Sequence, residues 1–247
     1  MRYKVGYLIA LVLGTIWYGS LATLAAWVGL RRAPGSFLDT VGRSWSNFLL
    51  RAAGVRVTLE GVEHLATEGP QIIAANHQSF FDILAMLGAL PVSAKFIVKK
   101  ELRWVPFFGS AIWAAGHIFI DRQNRRQAFV AYEVAGRELV ERRAHVLVFP
   151  EGTRSRTGMV LPFKKGPAVL AISSGTPVVP AYCGGTFGIL PKGSILVRPR
   201  PVTLYFGPPL SVQGLTHEDR DAFTERLRDA ILALRARSVD AQESGAG

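Results

Sequence analysis

Residues 76–82, NHQSFFD, carry a histidine and an aspartate five positions apart. On one regular helix this spacing would place His77 and Asp82 about 140° from each other, so the side chains can meet only if a turn lies between them. Ser79 can supply that turn as the N-cap of a helix that begins at Phe80. A carboxylate that orients a histidine makes it a general base near neutral pH, but Ser79 and Asp82 can also form a plain capping box. The spacing leaves both interpretations open.

Residues 116–122, GHIFIDR, form a second segment, in which a short apolar run ends in a charged pair. Asp121 and Arg122 can bond each other at the surface or contribute to a site. His117 lies among apolar residues, which favours a core histidine over a catalyst.

Residues 149–155, FPEGTRS, form the third segment and follow another apolar run. Its turn can offer backbone N–H groups, a hydroxyl and a guanidinium to one anion, although a plain surface turn has the same composition. The turn consists of Glu151, Gly152, Thr153 and Arg154. Further basic residues close to these segments are Lys99, Lys100, Lys164 and Lys165.

Motifs of several other enzyme classes do not occur in the sequence. The metal-binding pattern H-E-x-x-H, the phosphate loop G-x-x-x-x-G-K-S/T and the dinucleotide turn G-x-G-x-x-G are absent, and so is the G-x-S-x-G elbow of serine hydrolases. We therefore expect no metal centre, no nucleotide or dinucleotide chemistry and no serine nucleophile.

The elements that position these segments alternate after Gly54, where short apolar runs are separated by helical stretches. The predicted strands are residues 55–60, 71–75, 95–98, 117–120, 145–149, 178–181 and 202–206. The predicted helices are residues 80–89, 125–142, 165–173 and 218–237. In open α/β sheets, ligands bind at loops that follow the carboxyl ends of strands, where all three polar segments lie. We expect a single α/β domain with a mostly parallel or mixed sheet flanked by helices.

The amino-terminal part of the chain predicts membrane association. Residues 7–30 are 24 consecutive uncharged residues, enough for a helix that just spans a bilayer of roughly 30 Å. Because the apolar run continues beyond a passable cleavage site at residues 23–25, we expect it to be retained. Residues 36–53 have apolar side chains at three- and four-residue steps and predict an amphipathic helix, on the protein's own core or in the bilayer interface.

We therefore divide the chain into a membrane-associated two-helix segment at residues 1–53, a catalytic domain at residues 54–238 and a disordered tail at residues 239–247. Five basic residues lie between positions 31 and 56, against two before the apolar run. This bias favours a catalytic domain on the cytoplasmic side of the inner or plasma membrane.

The composition agrees with one basic domain. The 247 residues include 29 Lys and Arg against 18 Asp and Glu, and the net charge of +11 suits either nucleic acid or an anionic bilayer surface. The single cysteine, Cys183, excludes a disulfide framework and is expected to be a small core residue.

Taken together, the three segments resemble the NHxSxxD, GxxFIDR and FPEGTRS blocks of the 1-acylglycerol-3-phosphate acyltransferases. Val179 and Pro180 fall where that family has a proline-containing block, and residues 99–102 and 106–109 resemble a further recurring stretch. The resemblance covers about residues 55–210 in the family's order. Residues 181–183, AYC, depart from the apolar and small residues that are usual after the proline.

The resemblance implies transfer of a fatty acyl group from a thioester, acyl-CoA or acyl carrier protein, to the sn-2 hydroxyl of lysophosphatidic acid. It makes His77 the general base and Asp82 the residue that orients it. The implied substrate-binding residues are Lys99, Arg122, Glu151, Gly152, Thr153 and Arg154; Glu151 is expected mainly to order its loop. It implies no metal and no cofactor besides the thioester co-substrate, and an amino-terminal helix pair that dips into one leaflet.

Other interpretations are an acyltransferase for another lysolipid such as lyso-ornithine lipid, a thioesterase or lipase, and a basic membrane-bound scaffold or nucleic-acid-binding protein. The scaffold would explain the charge but not the three polar segments at strand ends. We therefore expect the partners to be a phospholipid bilayer, lysophosphatidic acid and an acyl thioester, and not nucleic acid.

Overall fold

The computed structural model describes residues 2–30, 35–67, 69–121 and 125–244. Two helices come first, α1 (Arg2–Trp27) and α2 (Phe37–Ala52). The first is the predicted apolar helix, and its stretch Gly6–Trp27 is long and apolar enough to cross a membrane, with a mean hydropathy of 1.8. The second is the predicted amphipathic helix, with apolar residues buried along one side.

Seven strands in the described residues match the seven predicted ones: β1 (Val57–Glu60), β2 (Ile72–Ala75), β3 (Ala94–Lys99), β4 (Ile118–Ile120), β5 (His145–Val148), β6 (Val178–Gly184) and β7 (Val202–Phe206). The helices among and after them are α3 (Phe80–Ala89), α4 (Phe108–Ala114), α5 (Arg125–Glu141), α6 (Gly166–Ser174), α7 (Thr186–Ile189) and α8 (Arg220–Ser244). Four of these six helices were predicted, and the short α4 and α7 were not.

The strands form one mixed sheet in the order β1-β7-β6-β2-β5-β3-β4. Neighbouring strands run parallel except β6 and β7, which pair antiparallel. The carboxyl ends of β6, β2, β5, β3 and β4 therefore lie at the same edge of the sheet. This edge brings together the three polar segments, which leave β2, β4 and β5.

Helices cover both faces of the sheet because alternate strand residues point to opposite sides. Ile73 and Leu147 pack with α2 and α3 on one face. Ile72 and Val146 pack with α5, α6 and α8 on the other. The expected α/β domain with flanking helices is confirmed.

The two amino-terminal helices differ in what their apolar residues contact. On α2, Leu49 and Leu50 are buried in the main core, so its apolar side lies on the protein itself. On α1, one side docks on the domain: Thr15 accepts a hydrogen bond from Trp45 Nε1 at 3.2 Å, and Thr23 donates to Ser110 at 2.9 Å. The other side of α1 exposes large apolar residues.

The last helix is longer than predicted. It continues to Ser244, six residues into the segment that its Ser and Gly content predicted to be disordered. Residues 239–244 contain neither Gly nor Pro, so no helix breaker occurs before Gly245.

Candidate active site

Asp82 holds the side chain of His77 from the first turn of α3. Ser79 is the N-cap of this helix, and its hydroxyl accepts a hydrogen bond from the backbone N–H of Phe81. The Asp82 carboxylate reaches back and accepts from the N–H of Ser79 at 2.8 Å, which completes a capping box. The same oxygen, Oδ2, accepts from His77 Nδ1 at 2.8 Å. Asp82 therefore both completes the capping box and orients His77, so the two interpretations of the spacing hold at the same time.

Three donors converge on Oδ2 of Asp82, because the N–H of Gln78 also bonds to it at 2.6 Å. The carboxylate is fully buried, so these bonds fix its position. A carboxylate only accepts, so Nδ1 of His77 is the donor and the lone pair of the neutral ring lies on Nε2. Among the described residues, none bonds to Nε2, which leaves this nitrogen for a substrate.

The third polar segment packs directly against His77. Phe149 stacks on the imidazole with ring centroids 4.1 Å apart and planes 15° apart. The N–H of Ser155 donates to the carbonyl oxygen of His77 at 2.8 Å. The His77 side chain keeps 11% of its surface exposed, so a substrate hydroxyl can reach it from one edge.

Glu151 links the two loops through both of its carboxylate oxygens. Oε1 accepts from the N–H of His77 at 2.7 Å, and Oε2 accepts from the N–H of Leu161 at 3.0 Å. The residue is only 2% exposed, and burial raises the pKa of its carboxyl from 4.5 to about 7, against the opposing effect of the two N–H donors. Glu151 therefore orders the loops around the histidine and does not face an anion.

The next three residues form the turn of the third segment. Gly152 has φ of +69°, a left-handed value that favours glycine, and its N–H bonds to Phe149 O at 3.0 Å. Thr153 is exposed and Arg154 is half-buried. No described residue accepts a hydrogen bond or forms an ion pair with the Arg154 guanidinium, so this charge is available to a ligand.

Lys99 ends β3 at the same edge of the sheet. In the parallel register of β3 and β4 it pairs with Ile120. Its ammonium lies 3.2 Å from Glu101, and in the described residues it does not contact the turn at 152–154. Asp121 bonds Lys100 at 2.5 Å. Arg122, expected at this site, lies outside the described residues.

Sequence reasoning missed Lys192. Its ammonium donates to the hydroxyl of Thr153 at 2.8 Å, across 39 positions of sequence. The lysine belongs to the segment after α7, which contains none of the motifs identified in the sequence. Only the observed topology of β6, α7 and β7 brings it to the loops.

Two other candidate residues are structural. His117 is half-buried, accepts the N–H of Phe96 on Nδ1 at 3.0 Å, and has its pKa lowered by desolvation to about 4, with Lys95 adding to the effect. It is a neutral core histidine, as predicted. Cys183 is a buried core residue whose N–H donates to Asn76 Oδ1 at 2.6 Å. The described residues hold no group of three or more His, Cys, Asp or Glu placed to bind a metal ion.

At the carboxyl edge of the sheet, an imidazole is oriented by a buried carboxylate, and a neighbouring loop carries a guanidinium that no described residue pairs. These are the parts of a general base and of an anion site. The acyltransferase family model matches residues 56–184, just over half of the chain, and the protein belongs to this acyltransferase family. It is therefore an enzyme of acyl transfer, as the resemblance implied.

Several proteins of known name are similar to this chain in sequence or in structure. A 1-acyl-sn-glycerol-3-phosphate acyltransferase of Limnanthes douglasii is 32% identical over 226 residues, covering 92% of this chain and 79% of the relative. The human 1-acyl-sn-glycerol-3-phosphate acyltransferase alpha is 34% identical over 193 residues, covering 78% and 68%. The crystal structure of PlsC from Thermotoga maritima, a 1-acyl-sn-glycerophosphate (LPA) acyltransferase, superposes with a TM-score of 0.73 at 26% identity, covering 95% of both chains.

Proposed function

We propose that the protein transfers a fatty acyl group from acyl-CoA or acyl carrier protein to the sn-2 hydroxyl of 1-acylglycerol 3-phosphate, forming phosphatidic acid for phospholipid synthesis. The observation that carries this proposal is the pairing of His77 Nδ1 with the buried Asp82, which leaves Nε2 without a partner among the described residues. The backbone of His77 is bonded to the segment that holds Arg154. The names of the relatives from Limnanthes and human support lysophosphatidic acid as the acceptor.

In the proposed reaction, Nε2 of His77 accepts the proton of the sn-2 hydroxyl while the hydroxyl oxygen attacks the thioester carbonyl carbon. The tetrahedral intermediate collapses with cleavage of the C–S bond, and His77 returns the proton to the leaving thiolate. Asp82 keeps Nδ1 protonated and stabilises the imidazolium, as part of general base catalysis worth about 10²–10⁴ in rate. The acceptor hydroxyl is the nucleophile, so the mechanism needs no serine, cysteine, metal or further cofactor.

The acceptor phosphate binds at the turn of residues 152–154 in this proposal. Arg154 supplies a guanidinium that has no partner among the described residues, and Thr153 supplies an exposed hydroxyl. Lys99 adds positive charge at the same edge, and Arg122 remains a proposed phosphate ligand outside the described residues. Gly152 contributes the left-handed backbone of the turn, since its N–H is bonded to Phe149.

We also propose that α1 lies in one leaflet with its exposed side in the bilayer. Trp17 and Trp27 are 69% and 85% exposed, and Trp104, beside the α1 contact made by Phe107, is 81% exposed. Aromatic side chains of this kind favour the bilayer interface. The helix packs on α2 and α4 from Thr15 to Thr23, which favours a leaflet position over an isolated span. The cytoplasmic side of the catalytic domain stays a prediction from the charge bias.

The test is acyl transfer by the full-length protein in mixed micelles, with acyl-CoA and acyl carrier protein as separate donors. The acceptors are lysophosphatidic acid, lyso-ornithine lipid and a zwitterionic lysolipid, and free fatty acid is measured in parallel. We expect phosphatidic acid as the main product and no transfer by a folded His77→Ala variant. Faster acylation of another lysolipid would overturn the acceptor, and fatty acid as the main product would make the enzyme a thioesterase.

A further inference from the structure

The segment that follows α7 connects both catalytic loops. Ser79, the N-cap of α3, donates its hydroxyl to Leu190 O at 2.9 Å and forms an antiparallel bridge with Pro191. The next residue, Lys192, reaches the other loop and bonds Thr153 Oγ1 at 2.8 Å. The two residues before Lys192 therefore contact the loop that holds His77, and the ammonium of Lys192 contacts the turn at residues 152–154.

In the part of the chain that the structure describes, no acidic side chain pairs with the charge of Lys192. Within the described part of the chain its polar partner is the neutral hydroxyl of Thr153, and the lysine is half-buried. Glu151, the acidic residue of the turn, has both oxygens bonded to backbone N–H groups. Arg154 in the turn and Lys192, which bonds the turn, are thus two cations that no acidic residue pairs within the described ranges. A partly buried charge is usually paired, so an anionic ligand is the expected partner.

We propose that Lys192 binds the phosphate of the acceptor together with Arg154, and so selects acceptors that carry a phosphate. This inference rests on the proposed function. An ammonium has three donors, and the bond to Thr153 uses one, so two remain for phosphate oxygens. Because Pro191 and Ser79 pair, the lysine also fixes the distance between the bound phosphate and the histidine loop.

The test compares lysophosphatidic acid with 1-acylglycerol, which has the same sn-2 hydroxyl and no phosphate. Lys192→Ala should raise KM for lysophosphatidic acid about tenfold, the usual effect of losing one charge-assisted hydrogen bond. The kcat, the KM for the thioester and the turnover of 1-acylglycerol should change by less than about twofold. Inorganic phosphate should inhibit the variant about tenfold more weakly than the wild type.

Two further variants separate charge from structure. Lys192→Arg should keep most of the affinity, whereas Lys192→Gln, which can still donate to Thr153, should behave like alanine. Lys165→Ala is the matched control, because it removes the same charge from an exposed lysine that pairs with Asp221 at 2.7 Å. It should leave both KM values unchanged.

Three results would overturn the proposal. In the first, Lys192→Ala and Lys165→Ala have the same KM for lysophosphatidic acid as the wild type. In the second, Lys192→Gln has the wild-type KM for lysophosphatidic acid. In the third, Lys192→Ala lowers the turnover of both acceptors equally, so that the lysine only orders the turn. If the wild type acylates no phosphate-bearing lysolipid, the proposed function itself fails; if it does and the first result holds, only the role of Lys192 fails.

Discussion

Glu151→Gln tests whether a buried carboxylate that bonds backbone N–H groups controls the position of the proposed base. The glutamate accepts the N–H groups of His77 and Leu161 with its two oxygens. A glutamine of the same shape has one accepting oxygen, so its amide N–H₂ must face one of these two donors. Loss of the bond to His77 displaces the imidazole, and a displacement of about 1 Å can cost about 100-fold in rate. We expect kcat/KM to fall about 10- to 100-fold.

The same substitution should not lower stability at neutral or higher pH. Burial raises the pKa of Glu151 from 4.5 to about 7, so the folded protein binds this proton more tightly than the unfolded chain does. Its contribution to the free energy of unfolding is therefore fully present below pH 4.5 and is lost as the pH rises through about 7. The loss amounts to about 3 kcal/mol. Glutamine resembles the protonated form, so the variant should lack this dependence and equal or exceed the wild type at pH 8.

The pH profile of activity provides the assay. Protonation of Glu151 near pH 7 removes one acceptor of the loop bonds. Near pH 7 the acid side of the wild-type plot of log kcat/KM against pH should be steeper than that of the Glu151→Gln plot. Urea unfolding at pH 5 and pH 8 measures the stability difference, with Glu225→Gln on the exposed surface of α8 as control. Wild-type kcat/KM and an unchanged acid slope in Glu151→Gln would refute the reasoning.

Three further predictions concern single parts of the site and the membrane surface. Asp82→Asn should lower kcat about 10²- to 10⁴-fold with little change in KM, because a neutral amide cannot stabilise the imidazolium; equal kcat in folded variant and wild type would contradict this. Arg154→Ala should raise KM for lysophosphatidic acid about 10- to 100-fold and leave the thioester KM unchanged, with partial recovery in Arg154→Lys; a rise in both KM values would show a structural role. Leu13→Ser with Trp17→Ser should release the protein from vesicles in high salt, whereas the wild type stays bound; equal retention would place another surface in the bilayer.

The sequence predicted the fold well where local patterns determine structure. Short apolar runs identified all seven strands, and Ser79 identified the start of α3. The helix α4 was missed because it begins after Phe107, whose φ of 61° is a left-handed value rare for a side chain of this kind. The amphipathic pattern of α2 could not distinguish core from bilayer, since both bury the same apolar stripe.

Only those contacts of the site that join residues close in sequence could be predicted. His77 and Asp82 are linked by one helical turn, so a capping argument finds their contact. Glu151 bonds Leu161 across a loop. Lys192 bonds Thr153 only because β6, which precedes it in the chain, pairs with β2 in the sheet. No short-range rule assigns such contacts, because strand order and the antiparallel pairing of β6 and β7 determine them.

The contacts between loops explain how a surface edge of the sheet can hold a base and an anion site in fixed register. Glu151 accepts the N–H of His77, and the N–H of Ser155 donates to the carbonyl oxygen of His77. Residues of the third segment therefore hold the main chain of the histidine. Ser79 bonds Leu190, so the segment of Lys192 rests on the N-cap of the helix that carries Asp82. Each loop is thus held by bonds from another loop as well as by its own strand. In the proposed reaction, geometry fixed in this way would need no reorganisation when substrate binds, so that the acceptor hydroxyl, a weak nucleophile, is positioned and deprotonated in one site.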